Sequence, residues 1–119
     1  MPFKLKYYAE NDGTSPPLDY IRGLSVTAQA NIRHRLETLC ESPREGWPTK
    51  WFDKVESNIW ELKSPPYRLL YFLHDGCLVV LHALRKDRWK LHENDKATAR
   101  RRRDRYVSVK DGQTRRSPQ

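Results

Sequence analysis

The sequence has only two cysteines, Cys40 and Cys77, and neither belongs to a recognisable motif. Both lie beside apolar residues, in the segments 39–40 (LC) and 77–79 (CLV). Two buried free thiols in a reducing compartment fit this setting better than a disulfide. The sequence therefore argues against a disulfide-stapled secreted fold, and neither thiol is a good candidate metal ligand.

Long apolar runs are also missing. No segment approaches the roughly 18 consecutive apolar residues that a membrane-spanning helix needs. Residues 1–6 (MPFKLK) are not followed by the apolar stretch of a signal peptide. We therefore expect a cytoplasmic protein that does not engage a membrane.

Motifs for metal, nucleotide and serine chemistry are absent as well. The histidines show no His-x-His or His-Glu-x-x-His spacing and no Cys-x-x-Cys pair accompanies them, so no metal and no other cofactor is predicted. The five glycines are isolated and form no phosphate-binding loop. There is also no Gly-x-Ser-x-Gly elbow. The sequence therefore contains neither the usual motif for nucleotide hydrolysis nor that for a serine nucleophile.

Positive charge, in contrast, is abundant and unevenly distributed. Residues 1–81 carry ten Lys and Arg against ten Asp and Glu, whereas residues 82–119 carry thirteen against five, so the second segment supplies the whole net charge of +8. Such a dense basic segment is typical of a protein that binds polyphosphate, because each neutralised phosphate releases a counterion. The alternative is a solvated basic tail that aids solubility or binds an acidic protein.

The first quarter of the chain predicts a strand followed by a short helix. Phe3, Leu5 and Tyr7 alternate with lysines, which is typical of a half-buried strand. Ser15 precedes two prolines that a first helical turn tolerates, so it is the predicted N-cap of a helix. With 119 residues, the whole chain suits one domain with a single core.

A longer helix follows, and then a loop. Ser25 or Thr27 can cap this helix, in which apolar residues recur at helical spacing; these are Ala28, Ile32, Leu36 and Leu39. Residues 42–48 (SPREGWP) end the helix, and no period is visible up to residue 57. We therefore predict a loop over residues 42–57.

Three strands and a last helix are predicted in the second half. Residues 59–63, 67–73 and 77–84 are rich in aromatic and β-branched residues, and an Asp-Gly pair at positions 75 and 76 favours a hairpin. Asn94 or Asp95 can cap a helix to about Tyr106, with a frayed tail after it. The order β-α-α-β-β-β-α predicts an α+β fold: a mostly antiparallel sheet that includes the first strand, with the two-helix hairpin packed on one face.

Arg68 is a lone cation within the apolar strand 67–73. It lies on the opposite face from Leu69, Tyr71 and Leu73. Two interpretations stay open: an ion pair with Glu61 or another carboxylate, or a cation held for a phosphate.

The last strand runs directly into further cations in residues 85–92 (RKDRWKLH). Cleavage of RNA through its 2′-hydroxyl needs a proton acceptor, charge stabilisation on the phosphorane and a proton for the leaving oxygen. Arg grips phosphate with two donors, and a crowded Lys or a His exchanges protons near neutral pH. Trp89 could stack a base, although packing under the last helix is an equal alternative. This segment therefore indicates RNA as the target.

Four segments, in order, resemble the signature segments of the RelE/HigB toxin superfamily in its phage-derived-protein branch. They are residues 59–63 (IWELK), 67–72 (YRLLYF), 80–86 (VLHALRK) and 99–106 (ARRRRDRY). Residues 18–39 are similar to the family's two-helix hairpin, so the resemblance covers roughly residues 3–106. It implies a microbial RNase-like toxin domain over residues 1–107, followed by a flexible tail over 108–119.

The resemblance also implies an activity and partners. Members are toxins of type II toxin–antitoxin systems that enter the ribosome and cut translated mRNA without a metal, which inhibits translation. A cognate antitoxin, often with a helix-turn-helix domain, neutralises them. The expected enzyme is therefore a metal-independent endoribonuclease whose partners are an antitoxin, the ribosome and mRNA.

Carried over residue by residue, the resemblance implies four catalytic residues. Arg68 stands at the family's phosphate-gripping Arg, Lys86 and Arg88 lie in the basic segment, and His92 lies near the position of a proton-transfer group. The residues that we expect to bind RNA are Lys63, Arg85, Trp89, Lys90, Arg100 and Arg101.

The sequence departs from the family pattern in two places. Glu61 replaces a Lys of some ribonuclease members, and residues 90–93 (KLHE) replace a Lys-Thr-Pro element. The first departure, with the run Arg100 to Arg103, leaves open a non-catalytic, phage- or prophage-encoded protein that holds a host protein or nucleic acid through its basic face.

Overall fold

A computed structural model describes residues 2–86 and 91–115, with side chains to residue 110. The chain forms an α+β fold, as predicted, in which an N-terminal strand and two helices precede four strands and a long helix. The elements are β1 (Lys4–Tyr7), α1 (Pro16–Arg22), α2 (Val26–Glu41), β2 (Phe52–Glu56), β3 (Ile59–Ser64), β4 (Tyr67–His74), β5 (Cys77–Arg85) and α3 (Glu93–Arg115).

The sheet has five strands in the order β1-β5-β4-β3-β2. β1 pairs with β5 in parallel, and the other neighbours are antiparallel. The expectation that the first strand joins the later meander is therefore confirmed. Asp75 and Gly76 have φ values of 48° and 73°, which suit the tight β4–β5 hairpin that their sequence predicts.

Helices α1 and α2 cover one face of the sheet, as expected. Ser25 caps α2, because its hydroxyl accepts a hydrogen bond of 3.1 Å from the Ala28 N–H. Ser15 stands at the N-cap of α1, but its side chain donates instead to the carbonyl of Tyr8 at 2.6 Å. The apolar residues of α2 pack with Leu62, Leu69 and Val80 in one core.

Trp47 completes this core from the segment between α2 and β2. Its indole N–H donates to the Leu39 carbonyl at 2.7 Å, and its ring meets Phe52, Trp60 and Tyr71 edge-on at 5.3 to 6.4 Å. The indole thus closes the end of α2 over the sheet.

The prediction of a loop over residues 42–57 is wrong in its second part. Two short 3₁₀ turns, Arg44–Gly46 and Thr49–Trp51, lead into the edge strand β2. Asp53 and Lys54 are exposed, and the pairing with β3 is irregular between Lys54 and Glu56. Because β2 lies at the sheet edge and buries few side chains, its sequence does not alternate clearly between apolar and polar residues. Periodicity therefore could not predict this strand.

An irregularity in β5 sets which side chains face α3. Leu70 pairs with His82 while Tyr71 pairs with Val80, so β5 contains one extra residue. As a result Leu81 packs in the core under α3 and the neighbouring His82 contacts Asp95 of α3. Leu84, two residues further on, returns to the same face.

Helix α3 covers this second face and is longer than predicted. It begins at Glu93 and continues past the predicted end at Tyr106 to Arg115, so the expected fraying of residues 107–115 is wrong. Ala99 is fully buried in the core under α3, and Tyr106 and Val107 pack against the same core. No helix in the described part of the chain is long and apolar enough to cross a membrane.

Candidate functional site

A buried carboxylate lies between two cations on the α3 face of the sheet. Arg68 Nε is 3.3 Å and Lys86 Nζ is 3.8 Å from the same Glu61 Oε1. The side chains are 4% exposed for Glu61, 17% for Arg68 and 11% for Lys86. We call these three residues the Glu61 cluster.

Three adjacent strands build this cluster. Glu61 and Arg68 are diagonal neighbours on β3 and β4, since the cross-strand partners are Glu61 with Leu70 and Lys63 with Arg68. Lys86 follows β5, and its N–H donates to the Pro66 carbonyl at 2.9 Å, which ties the end of β5 to the β3–β4 turn. The positions of all three therefore follow from sheet register.

The ion-pair interpretation of Arg68 is realised in the structure. The Glu61 carboxylate offsets one positive charge, while Arg68 Nη1 donates to the Tyr67 carbonyl at 3.1 Å. Although Arg68 Nε is within ion-pair distance, it is buried and forms no hydrogen bond. Two cations share one anion, so the cluster keeps a surplus positive charge.

A cavity of about 200 Å³ opens beside the cluster. Glu61 and Lys86 line it together with Leu91 and residues from two other elements, β2 and α3; these are Asp53, Lys54, Val55 and Lys96. Three lysines against two carboxylates leave its wall net positive. Such a wall attracts an anion such as a phosphate and places a proton acceptor within the same pocket.

Lys63 lies next to this pocket and is paired. Its Nζ is 2.5 Å from Asp53 Oδ2 on β2, and its side chain is 28% exposed. The expected RNA-binding lysine is thus held by the edge strand that the sequence did not reveal.

Of the other predicted catalytic residues, His92 is the one that the structure describes. It is exposed, and its carbonyl accepts hydrogen bonds from the N–H groups of Asp95 and Lys96 at 3.1 and 3.3 Å. It follows Leu91, which lines the cavity, but His92 itself is not among the lining residues. Arg88, Trp89 and Lys90 lie outside the described residues.

Arg85 does not join the Glu61 cluster, although Lys86 is its neighbour in sequence. Its guanidinium is 5.9 Å from the ring centre of Tyr67, which packs against the core under α1 and α2. Successive residues of a strand point to opposite faces. Arg85 is exposed on the other side of the sheet from Lys86.

Three of the four arginines 100–103, among them the predicted RNA-binding residue Arg100, have partners within the protein. Arg100 pairs with Glu56 at 2.8 Å and Glu93 at 2.6 Å, and its hydrogen bond holds the pKa of Glu93 below its usual value. Arg103 donates to the Ser57 carbonyl at 3.0 Å. Arg102 is half-buried, and the remaining Arg101 is exposed.

Arg102 belongs to a second polar cluster that the sequence did not indicate. His82 Nε2 is 2.8 Å from Asp95 Oδ1, and Arg102 Nη1 donates to the Leu81 carbonyl at 2.9 Å and lies 3.4 Å from His82 Nδ1. Burial lowers the pKa of Arg102. The extra residue in β5 brings these groups together, and no local sequence pattern predicts this extra residue. We call this the His82 cluster; it holds α3 on the sheet.

Among the side chains that the structure describes, in residues 2–86 and 91–110, no three His, Cys, Asp or Glu residues are grouped so that they could hold a metal ion. The Glu61 cluster offers a carboxylate and two cations instead.

The comparison with curated proteins gave no match. A family model described as "Phage derived protein Gp49-like" matches residues 19–104, which contain the second half of α1, all of α2 and β2 to β5, the Glu61 cluster and the first half of α3. That family is part of the RelE/HigB-like toxin superfamily. The matched segment is most of the chain, and the protein therefore belongs to the Gp49-like family of phage-derived proteins.

Proposed function

We propose that this protein is the toxin of a type II toxin–antitoxin system and that it cleaves translated mRNA on the ribosome without a metal. The observation that carries the proposal is the Glu61 cluster beside its cationic cavity. Membership of a toxin superfamily supports the same conclusion. In this proposal the protein acts in the cytoplasm, and its partners are a cognate antitoxin, the ribosome and mRNA.

The Glu61 cluster together with His92 supplies the groups that phosphodiester cleavage through a 2′-hydroxyl requires. The Glu61 carboxylate is the proton acceptor for that hydroxyl, because it is a base within a cationic pocket. Arg68 and Lys86 offset the negative charge that builds on the phosphorane. His92, which is exposed and follows Leu91 of the cavity wall, is the proton donor for the leaving 5′-oxygen.

The test compares single alanine substitutions on the two faces of the sheet. Induced expression should arrest growth, and primer extension on translated mRNA should show new 5′ ends. Arg68→Ala and Lys86→Ala should reduce cleavage by about 100-fold or more, as expected when a group that stabilises charge in the transition state is removed. Arg85→Ala is the matched control, since Arg85 is adjacent in sequence but exposed on the opposite face. Circular dichroism verifies that each variant is folded.

Growth arrest and new mRNA ends that survive the combined loss of Arg68, Lys86 and His92 would contradict chemistry at this site. Equal loss of cleavage in Arg85→Ala would contradict the assignment of the effect to the α3 face, because Arg85 lies on the opposite face.

The second candidate function is a non-catalytic protein of the same fold that holds a host protein or nucleic acid. The observation in its favour is that Glu61 already offsets the charge of Arg68. Binding to ribosomes or RNA without any new mRNA ends, at a protein level that arrests growth, would favour this function over cleavage.

A further inference from the structure

The edge of the sheet at β1 lies between two cavities. One, of about 390 Å³, separates β1 from the C-terminal half of α3, and the other, of about 290 Å³, lies on the α1 and α2 side. Of the strands that the structure describes, none pairs with β1 on the side away from β5. The edge and its two flanking cavities are outside the Glu61 cluster.

The backbone of β1 has hydrogen-bonding groups directed to this edge. The Lys4 N–H donates to the Gly76 carbonyl at 2.9 Å and the Tyr8 N–H to the Val80 carbonyl at 2.8 Å. In a parallel pair alternate residues bond to the neighbouring strand. Leu5 and Tyr7, which lie between the bonded positions, therefore direct their N–H and C=O groups away from β5, where another strand could pair.

The two cavities differ in chemistry. Lys6 and Arg105 make the one beside α3 cationic, and its acid, Glu10, already accepts a hydrogen bond of 3.1 Å from the Tyr8 hydroxyl. On the other side four aliphatic residues, Leu5, Leu18, Ile21 and Ile32, line the second cavity, which is also lined by the charged residues Arg22, Arg33 and Glu37. The side chains of a strand that pairs with β1 would enter the two cavities alternately.

We propose that the β1 edge receives an extended segment of another protein in which acidic and apolar residues alternate. Pairing of the main chains supplies affinity, and the two cavities select carboxylates on one face and aliphatic side chains on the other. This inference goes beyond the proposed function, because it involves neither Glu61 nor the groups around it.

Charge and shape favour this occupant over two others. A second copy of the chain that paired through β1 would place Lys4 and Lys6 of both copies on one face, where like charges repel. An RNA strand would satisfy the cations, but it has no aliphatic groups for the aliphatic residues of the second cavity and no main chain that pairs with β1. Lysines on an edge strand can have no role except to prevent aggregation. Binding of the acidic peptide distinguishes that role from a docking site.

The experiment uses three synthetic fluorescent peptides and the full-length protein. The probe alternates valine and glutamate over about eight residues. One control alternates valine and lysine, and the other is the probe with N-methyl groups on alternate residues, which removes its main-chain donors but keeps its charge. Fluorescence anisotropy should show binding of the probe and at least about tenfold weaker binding of both controls.

Variants of the protein locate the site. Lys6→Glu and Arg105→Glu should each weaken binding of the probe about tenfold, because a carboxylate of the peptide would then face a like charge. Lys50→Glu is the matched control, since Lys50 is exposed in the 3₁₀ turn before β2 and the change in net charge is identical. Its affinity should stay within about twofold of the wild type.

Several results would overturn the inference: equal binding of the N-methylated peptide, equal binding of the lysine peptide, no effect of Lys6→Glu, or a wild-type dimer in sedimentation that Lys6→Glu abolishes. Cleavage of mRNA distinguishes this failure from that of the proposed function. Lys6→Glu should leave cleavage intact, whereas Arg68→Ala should leave binding of the probe intact.

Discussion

The two faces of the sheet are built differently. The face under α1 and α2 is a continuous apolar and aromatic core around Trp47, Leu36 and Tyr71. The face under α3 combines apolar residues with two polar clusters, those of Glu61 and His82. Burial of ionisable groups brings a desolvation cost that an apolar core avoids. The first face therefore provides most of the apolar packing, and the second contains the groups on which the proposed cleavage depends.

The largest expected effect on stability is a truncation in the apolar face. Leu36 is fully buried on α2, so Leu36→Ala should lower the free energy of unfolding by about 3 kcal/mol through lost burial and a residual cavity. Urea denaturation followed by circular dichroism measures this change. Val26→Ala on the same helix, where Val26 is 84% exposed, should shift it by less than about 0.5 kcal/mol.

A smaller loss of stability, with a distinctive rescue, is expected on the charged face. Glu61→Ala leaves Arg68 and Lys86 without their counter-charge and should lower the free energy of unfolding by about 2 kcal/mol. The double variant Glu61→Leu with Arg68→Leu should recover part of this loss, since it removes a buried charge and adds apolar volume. It should nevertheless remain inactive in the cleavage assay. If Glu61→Ala unfolds at the wild-type urea concentration, the ion pairs contribute nothing to stability.

The smallest expected effect is a difference in the reactivity of the two cysteines. Cys40 is fully buried in the apolar face, and burial raises the pKa of its thiol from 9.0 to about 11, whereas Cys77 is half-buried beside the β4–β5 turn. Iodoacetamide at pH 8 should therefore modify Cys77 first and Cys40 only after unfolding. Mass spectrometry of the single variants Cys40→Ala and Cys77→Ala identifies the site. Equal rates would show that the apolar face opens as readily as the turn.

The same thiol makes stability fall at high pH. A raised pKa in the folded state means that the unfolded chain loses the Cys40 proton first. The contribution is fully present below about pH 9 and is lost as the pH rises towards about 11. Cys40→Ala should remove this part of the alkaline loss, while Cys77→Ala should keep it.

Elements with strong periodicity could be predicted from the sequence. Helix α2 and the strands β3, β4 and β5 follow from apolar spacing and turn residues, and the addition of β1 to their sheet follows from connection rules, although its partner strand was not predicted. The edge strand β2 could not, because Asp53 and Lys54 are exposed and its order comes from pairing with β3. Helix α3 continues through Val107 and Val109, which are weak helix formers, and Val107 packs against the core.

The candidate site was predictable in part. Sheet periodicity placed Arg68 on the face opposite Leu69 and left its ion pair with Glu61 as an open alternative, which the structure realises. The structure shows that β5 continues to residue 85. Strand geometry then places the neighbours Arg85 and Lys86 on opposite faces. The contacts of Arg100, Arg102 and Arg103 could not be predicted, because they depend on how α3 lies across β2 and β5.

The irregularity in β5 makes the face of Lys86 depend on how the strand is paired. Leu81 and the neighbouring His82 both lie on the α3 side, so the alternation restarts after them and Lys86 lies beneath α3 together with Glu61. If β5 kept its sequence but paired without this irregularity, every later side chain would turn to the other face. Arg85 and Lys86 would then exchange sides, whereas deletion of Leu81 or His82 would leave both cations where they are.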